Sequence, residues 1–207
     1  MIIEACIETA EEAKIAEKLG ANQLEICSDL DKDGLTPSIS LVVEIVKNVR
    51  IPSKIMIRAR AGNFFYNQNE LNQMLDDIQK IKTYKVGGFV FGALAQDEAR
   101  KVTLDMTAIY QICKAAFPYP VTIHKAIDLC DDLLGEVIRL KNISNVKFIL
   151  TSGGASDAIS GANMLVKMQN IAGNSIDIIA AGKITKDNMA TLMEATQLKY
   201  YHGRKIV

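Results

Sequence analysis

Apolar and polar positions alternate between two periods along this chain. Eight short runs rich in β-branched and aromatic residues read as strands: Ile2–Ile7, Gln23–Cys27, Lys54–Ala59, Gly88–Phe91, Val121–His124, Lys147–Leu150, Ile176–Ala180 and Lys199–His202. Between them apolar residues recur at helical spacing, as in Leu41, Val42, Ile45, Val46 and Val49. Helix starts are marked by Thr9 with Glu12 at capping-box spacing, by Thr36-Pro37, and by Asn69-Glu70, Ser156-Asp157 and Thr185. Gly20 and Gly87 stand where helices hand over to strands.

Eight strand–helix repeats in series imply parallel strands joined by crossover helices. Spread over eight units, 207 residues give about 26 each, the low edge for a closed (β/α)8 barrel of the TIM type. A doubly wound open sheet would carry a Gly-rich turn after its first strand, and Cys6-Ile7-Glu8-Thr9 has no glycine. The expectation is an α/β chain: one compact (β/α)8 domain over residues 1–207. Only Gly203–Val207 follow the last strand, so its helix is expected to be missing. An outer face left bare there would be covered by a neighbouring helix or by a second copy in a homo-oligomer.

Composition narrows the class of function. Apolar residues make up 49% of the chain, too many for a disordered segment. Lys and Arg (24) balance Asp and Glu (24), and no basic run marks a nucleic-acid partner. No apolar stretch approaches the roughly 20 residues of a membrane span. The acidic start, MIIEACIETAEEAK, is unlike a signal peptide, so a cytoplasmic protein is expected. Cys6, Cys27, Cys113 and Cys130 would then be reduced thiols, and no CxxC or HxxxH spacing suggests structural zinc.

In such a barrel the chemistry lies at the C-terminal strand ends and in the loops beyond them. Those positions carry Glu4 and Cys6, Glu25 and Cys27, Arg58 and Arg60, and His124 with Lys125 and Asp128. The later strand ends carry Thr151-Ser152-Gly153-Gly154, Gly182-Lys183 and His202. Side chains alternate along a strand, so Glu4 shares a face with Cys6, Glu25 with Cys27, and Arg58 with Arg60. Charged groups are seldom buried unpaired, so this set at one mouth suggests a polar pocket.

Each feature has two readings. Cys6 and Cys27 end adjacent strands about 4.8 Å apart, a span that two thiolate–metal bonds could bridge, holding a soft ion such as Cu(I); equally, they could simply pack. Arg58 and Arg60 form a fork for a carboxylate or phosphate, or neutralise Glu4 and Glu25. His124 and His202 are candidate acids, bases or ligands, or hydrogen-bonded core residues. Ser152, Gly153 and Gly182 could cradle an anion with backbone amides, or be plain turns. The Met164/Met168 and Met189/Met193 pairs sit at i,i+4 and read as core.

EACIETAEEAKIAEKLGANQLEIC, DGLTPS, MIRARAGNFFY, GGFVFGAL, PVTIHKAID and LTSGG, in this order, resemble the CutC family of copper homeostasis proteins over nearly the whole chain. The resemblance implies a cytoplasmic, often oligomeric (β/α)8 barrel. It also implies Cu(I) ligation by cysteines at the positions of Cys6 and Cys27. Glu4, Glu25, Arg58, Arg60, His124, Asp128 and His202 match the family pattern too, a set richer than a copper carrier needs. The sequence departs from that pattern in several places: Ala59 stands where the family has Pro, Asn63 where it has Asp, Lys125 where it has Arg, and Gly182-Lys183 replaces part of a glycine-rich run. Two functions therefore compete: copper handling through the cysteine pair, and an enzyme acting on a small anionic, phosphorylated or carboxylated metabolite. In the second, Arg58 and Arg60 would clamp the anion and His124 or Glu25 would move protons. A scaffold without chemistry is the third reading.

Overall fold

The computed structural model describes all 207 residues. Strands β1 (Ile2–Ile7), β2 (Gln23–Ile26), β3 (Ser53–Met56) and β4 (Gly88–Phe91) are followed by a hairpin, β5 (Leu94–Gln96) and β6 (Val102–Leu104). Then come β7 (Val121–Ile123), β8 (Val146–Thr151), β9 (Asp177–Ala180) and β10 (Tyr200–Gly203). Seven helices alternate with them: α1 (Ala10–Lys18), α2 (Ile39–Asn48), α3 (Gln68–Ile81), α4 (Met106–Ala116), α5 (Leu133–Leu140), α6 (Ala162–Ala172) and α7 (Lys186–Thr196). Eight strands close into a parallel barrel in the ring order β1-β10-β9-β8-β7-β4-β3-β2. The expected (β/α)8 architecture is the one observed.

Alternation along the strands divides the apolar residues between two cores. Ala5, Ile7, Leu24, Ile26, Ile55, Phe89, Ile123, Ile149 and Ile178 belong to the large cluster that also takes in the helices. Two small clusters line the barrel axis, one of Cys6, Cys27, Met56 and Val90, the other of Leu150, Ile179, Ala181 and Tyr200. Among these axial residues lie Glu4, Gln23, Glu25 and Lys54, all buried.

Several local expectations differ from the structure. β3 ends at Met56 rather than Ala59, because Arg58 N–H and C=O leave the barrel ladder and pair with Thr36. Thr36 is therefore occupied, and Ser38 caps α2 instead, accepting from Leu41 N–H. Asn67, not Asn69, caps α3, in a capping box with Glu70. The β5–β6 hairpin went unforeseen, since three-residue strands carry almost no periodicity. No helix follows β10, as expected, yet the outward-facing Tyr201 is fully buried. Its hydroxyl lies 3.2 Å from Thr196 Oγ1 at the end of α7, so a neighbouring helix covers the gap.

Truncating a buried aromatic side chain costs about 3–5 kcal/mol. Tyr201→Ala is expected to lower the stability by about that amount in urea unfolding, because it empties the space that the ring fills between β10 and α7. A loss under about 1 kcal/mol would mean that the ring contributes little to the packing of α7 on β10.

Candidate functional site at the barrel mouth

The polar set starts below the mouth, on the barrel axis. Glu4 Oε2 accepts from Gln23 Nε2 at 2.7 Å and lies 2.8 Å from Lys54 Nζ, an ion pair off the line of a directed hydrogen bond. Lys54 Nζ also sits 3.9 Å from the centre of the Phe148 ring, where the π face supports a desolvated cation. Glu4 Oε1 is 2.9 Å from His202 Nδ1. Burial by itself would raise the pKa of Glu4, but Lys54 and then His202 outweigh it and hold the group at about 2.

Two residues beyond Glu4, and two beyond Glu25, lie the cysteines. Cys6 Sγ and Cys27 Sγ are 3.7 Å apart and both thiols are free. Cys27 S–H hydrogen-bonding to Cys6 pulls the Cys6 pKa down to about 6, against burial and with help from His202. The same bond, together with burial, pushes Cys27 well above its ordinary value. Glu25 Oε1 lies 3.6 Å from Cys27 Sγ; burial, with the negative charges of Cys6 and Glu4, raises its pKa to about 8. Burial disfavours the charged form of His202, but Glu25, Cys6 and Glu4 overcome it and favour the imidazolium. The ligand atoms of Cys6, Glu25 and Cys27 all lie within 4.8 Å of one another, as do those of Glu4, Glu25 and His202. Two thiolate bonds of about 2.3 Å span the 3.7 Å gap in a bent arrangement, so the pair suits a soft ion without backbone movement.

The two arginines do not form one fork. Arg58 Nη1 donates to the carbonyls of Lys32, Asp33 and Gly34, and Nη2 to that of Gly62 at 2.8 Å. It ties the loop after β2 to the loop after β3, and only its Nε stays unpartnered. Arg60 lies outside the pocket. Its guanidinium is taken up by Glu70 and by the Ala61, Asn63 and Phe65 carbonyls. The cause is the early end of β3: past Met56 the chain bends, and strict alternation no longer sets direction. Asn63 accepts from Arg60 Nη2 and Phe65 N–H, so it is part of a loop brace.

The glycine turn after β8 is also already filled. Asp128 accepts from Ser152 N–H at 3.0 Å and Gly154 N–H at 2.9 Å, and from Thr151 Oγ1 and Ser152 Oγ. Gly153 N–H goes to Thr151 Oγ1. Of the amides expected to cradle an external anion, that of Ser152 thus holds an internal one and that of Gly153 is taken by the Thr151 hydroxyl. Burial would raise Asp128, but Lys125, 3.0 Å away, and these donors bring its pKa down. Lys125 Nζ also donates to Ser152 Oγ at 2.6 Å. His124, 4% exposed, caps the turn after β7 by accepting from Ala126 N–H at Nδ1.

A cavity of about 800 Å³ opens at these strand ends. It brings together Cys6, Glu25, Cys27, Arg58, His124, Asp128, Ser152, Gly182 and His202 from the expected set. Glu4 lies beneath it, and Arg60 and Gly153 are not in its wall. Sequence reasoning missed Lys54, Gln23 and Phe64. The signal for the first two was present: Lys54 shares its strand face with Met56, as Gln23 does with Glu25.

The CutC family pattern matches residues 1–207. The chain belongs to the CutC family. A relative named copper homeostasis protein cutC homolog from Caenorhabditis elegans is 37% identical over 205 residues, covering 97% of this chain and 79% of its own length. The Homo sapiens protein of the same name is 33% identical over 201 residues, covering 97% and 72%. Among solved structures, a CutC protein of Streptococcus agalactiae superposes with a TM-score of 0.92 at 27% identity over the whole of both chains. A dihydrodipicolinate synthase from Agrobacterium tumefaciens, at 11% identity and a TM-score of 0.65 over 97% of this chain and 69% of its own, shares the barrel fold alone.

Two predictions follow from the site's electrostatics. Breaking a buried ion pair from one side costs about 3–5 kcal/mol. Glu4→Gln and Lys54→Met are each expected to cost about that much, and the double variant less than their sum, in a double-mutant cycle. The second concerns His124, whose pKa burial and then the Arg58 charge depress from 6.5 to about 3. Its contribution to stability is present above pH 6.5 and lost as pH falls towards about 3, because only the unfolded chain takes up the proton over that range. Urea titrations at pH 7 and pH 4.5 should show a smaller acid loss in His124→Asn than in wild type; equal losses would refute the neutral imidazole.

Proposed function

We propose that this chain handles copper by binding Cu(I) between Cys6 and Cys27 at the floor of the barrel mouth. The observation that carries the reading is the pair itself: two free thiols 3.7 Å apart, beneath an open cavity. The names of the relatives as copper homeostasis proteins agree with it. Thiolates are the ligands that select Cu(I), and Cys6 already lies towards the thiolate form. Cys27 must give up its proton to solvent as the ion arrives, so uptake strengthens with pH. His202 offsets the charge of the pair from one side and is itself held by Glu4. Free thiols of this kind fit a reducing compartment, the cytoplasm.

A small anionic metabolite is the second reading, favoured by one observation: about 800 Å³ is far more space than a bare ion fills. In that reading the chain is an enzyme whose acid and base come from this same mouth.

Anaerobic competition against a chromophoric Cu(I) chelator tests the first reading. Wild type is expected to take up one equivalent tightly, and Cys6→Ser/Cys27→Ser to lose at least about a hundredfold in affinity. Unchanged binding in the double variant would leave copper without a site here.

A further inference from the structure

We infer that the loops after β9 and β10 form a subsite for the phosphate group of a small phosphorylated metabolite, with Lys183 and Lys205 as its cations. The inference rests on the metabolite reading above and deepens it by naming the anionic group and the side chains that receive it.

Most cations in the cavity wall are already engaged. Arg58 is tied to loop carbonyls, Lys125 to Asp128 and Arg204 to Glu8. Lys183 and Lys205 line the same cavity and are exposed, and their ammonium groups take part in none of the chain's ion pairs. Asp157 feels the Lys183 charge, but only as the last of the influences that lower its pKa, and its oxygens are taken by Ser156 and Ser160.

Backbone contacts bring the two lysines to one place. Thr185 and Lys205 pair in a parallel bridge, with Lys186 N–H donating to Lys205 C=O at 3.2 Å. Paired backbones lie about 4.8 Å apart, and Lys183 stands two residues before the bridge. Its C=O accepts from Asn188 Nδ2 at 2.9 Å, and Gly182 C=O accepts from Ala158 N–H at 3.0 Å. The loops after β8, β9 and β10 are thereby stitched together. Gly182 has a φ of +110°, and a Cβ there would lie 3.0 Å from Ser152 Cβ. Lys183 follows at a φ of 56°, a left-handed conformation that disfavours a side chain, yet a lysine occupies it. The N–H groups of Gly182 and Lys183 make no hydrogen bond within the chain, unlike those of Ser152, Gly153 and Gly154 in the turn after β8.

The free groups select the ligand. Two unpaired ammonium groups match a dianion: a phosphate ester carries close to two negative charges at neutral pH and three acceptor oxygens, whereas a carboxylate brings one charge. Lysine binds phosphate as a mobile point charge and needs no fixed fork, so stems at the rim suit it. Loops after the last two strands are also where barrels of this type hold phosphate. Leu150, Ala181 and Ile184 wall the cavity beside these loops and leave room for a small carbon skeleton.

The full chain would be titrated calorimetrically at pH 7 and fixed ionic strength with glycerol 3-phosphate, inorganic phosphate and butyrate. Wild type, Lys183→Gln and Lys205→Gln would be compared with Lys167→Gln, an equal charge change on α6 outside the mouth. All three positions are exposed, so the variants keep the fold. Expected are saturable binding of glycerol 3-phosphate, tighter than that of butyrate, a weakening of about fivefold or more in each mouth variant, and no change in Lys167→Gln. A nitrogen-15 spectrum of wild type provides the second readout: the Gly182 and Lys183 amide resonances should move on addition of glycerol 3-phosphate. Binding that ignores both mouth variants, falls equally in Lys167→Gln, or leaves those resonances still would overturn the subsite while the metabolite reading stands. Butyrate bound as tightly as glycerol 3-phosphate would overturn the phosphate assignment. Failure of all three probes to bind would remove this inference and the metabolite reading together.

Discussion

A carboxylate and an ammonium meet out of water on the axis of this barrel, and much of the mouth is arranged around them. Glu4 and Lys54 are almost wholly buried, so each needs the other, and their remaining valences must be met nearby. Gln23 and His202 complete the carboxylate, and the Phe148 ring faces the ammonium. The depressed Glu4 pKa follows from this pairing, and so in part does the raised His202. His202 in turn leans the cysteine pair towards a thiolate. The ion pair at the centre thereby reaches the two thiols through a single imidazole.

The mouth divides into two halves of different chemical character. On the β1, β2 and β10 side, Cys6, Cys27, Glu25 and His202 form a group of titratable side chains whose charges bear on one another. On the β3 and β7 side, Arg58 and His124 are rigid donors locked by loop carbonyls, Phe64 and Gly92. A single cavity joins the halves.

Loop bracing explains the residues whose expected roles changed. Arg60, Asn63 and Glu70 hold the segment between β3 and α3, and Asp128 with Lys125 holds the turn after β8. The Lys125 ammonium reaches both Asp128 and Ser152 Oγ, and so closes the brace. Charges at strand ends suggested a larger anion clamp, but half of them neutralise one another or the backbone.

Periodicity alone carried the barrel: eight apolar runs separated by helical spacings permit few other closed arrangements, because each strand needs cover on one face and the sheet needs no edge. Strand parity alone placed Glu4 with Cys6 and Glu25 with Cys27, since alternation is a local property of extended backbone. It could not foresee where parity stops. β3 ends at Met56 because Thr36, 22 residues earlier, captures the backbone of Arg58, a contact with no local signature. Nor could it say that Asp128 takes the Ser152 and Gly154 amides or that Tyr201 is covered by α7. Sequence determines which groups each segment offers; hydrogen-bond partners distant in the chain decide which of those groups remain free, and only the folded barrel brings those partners within reach.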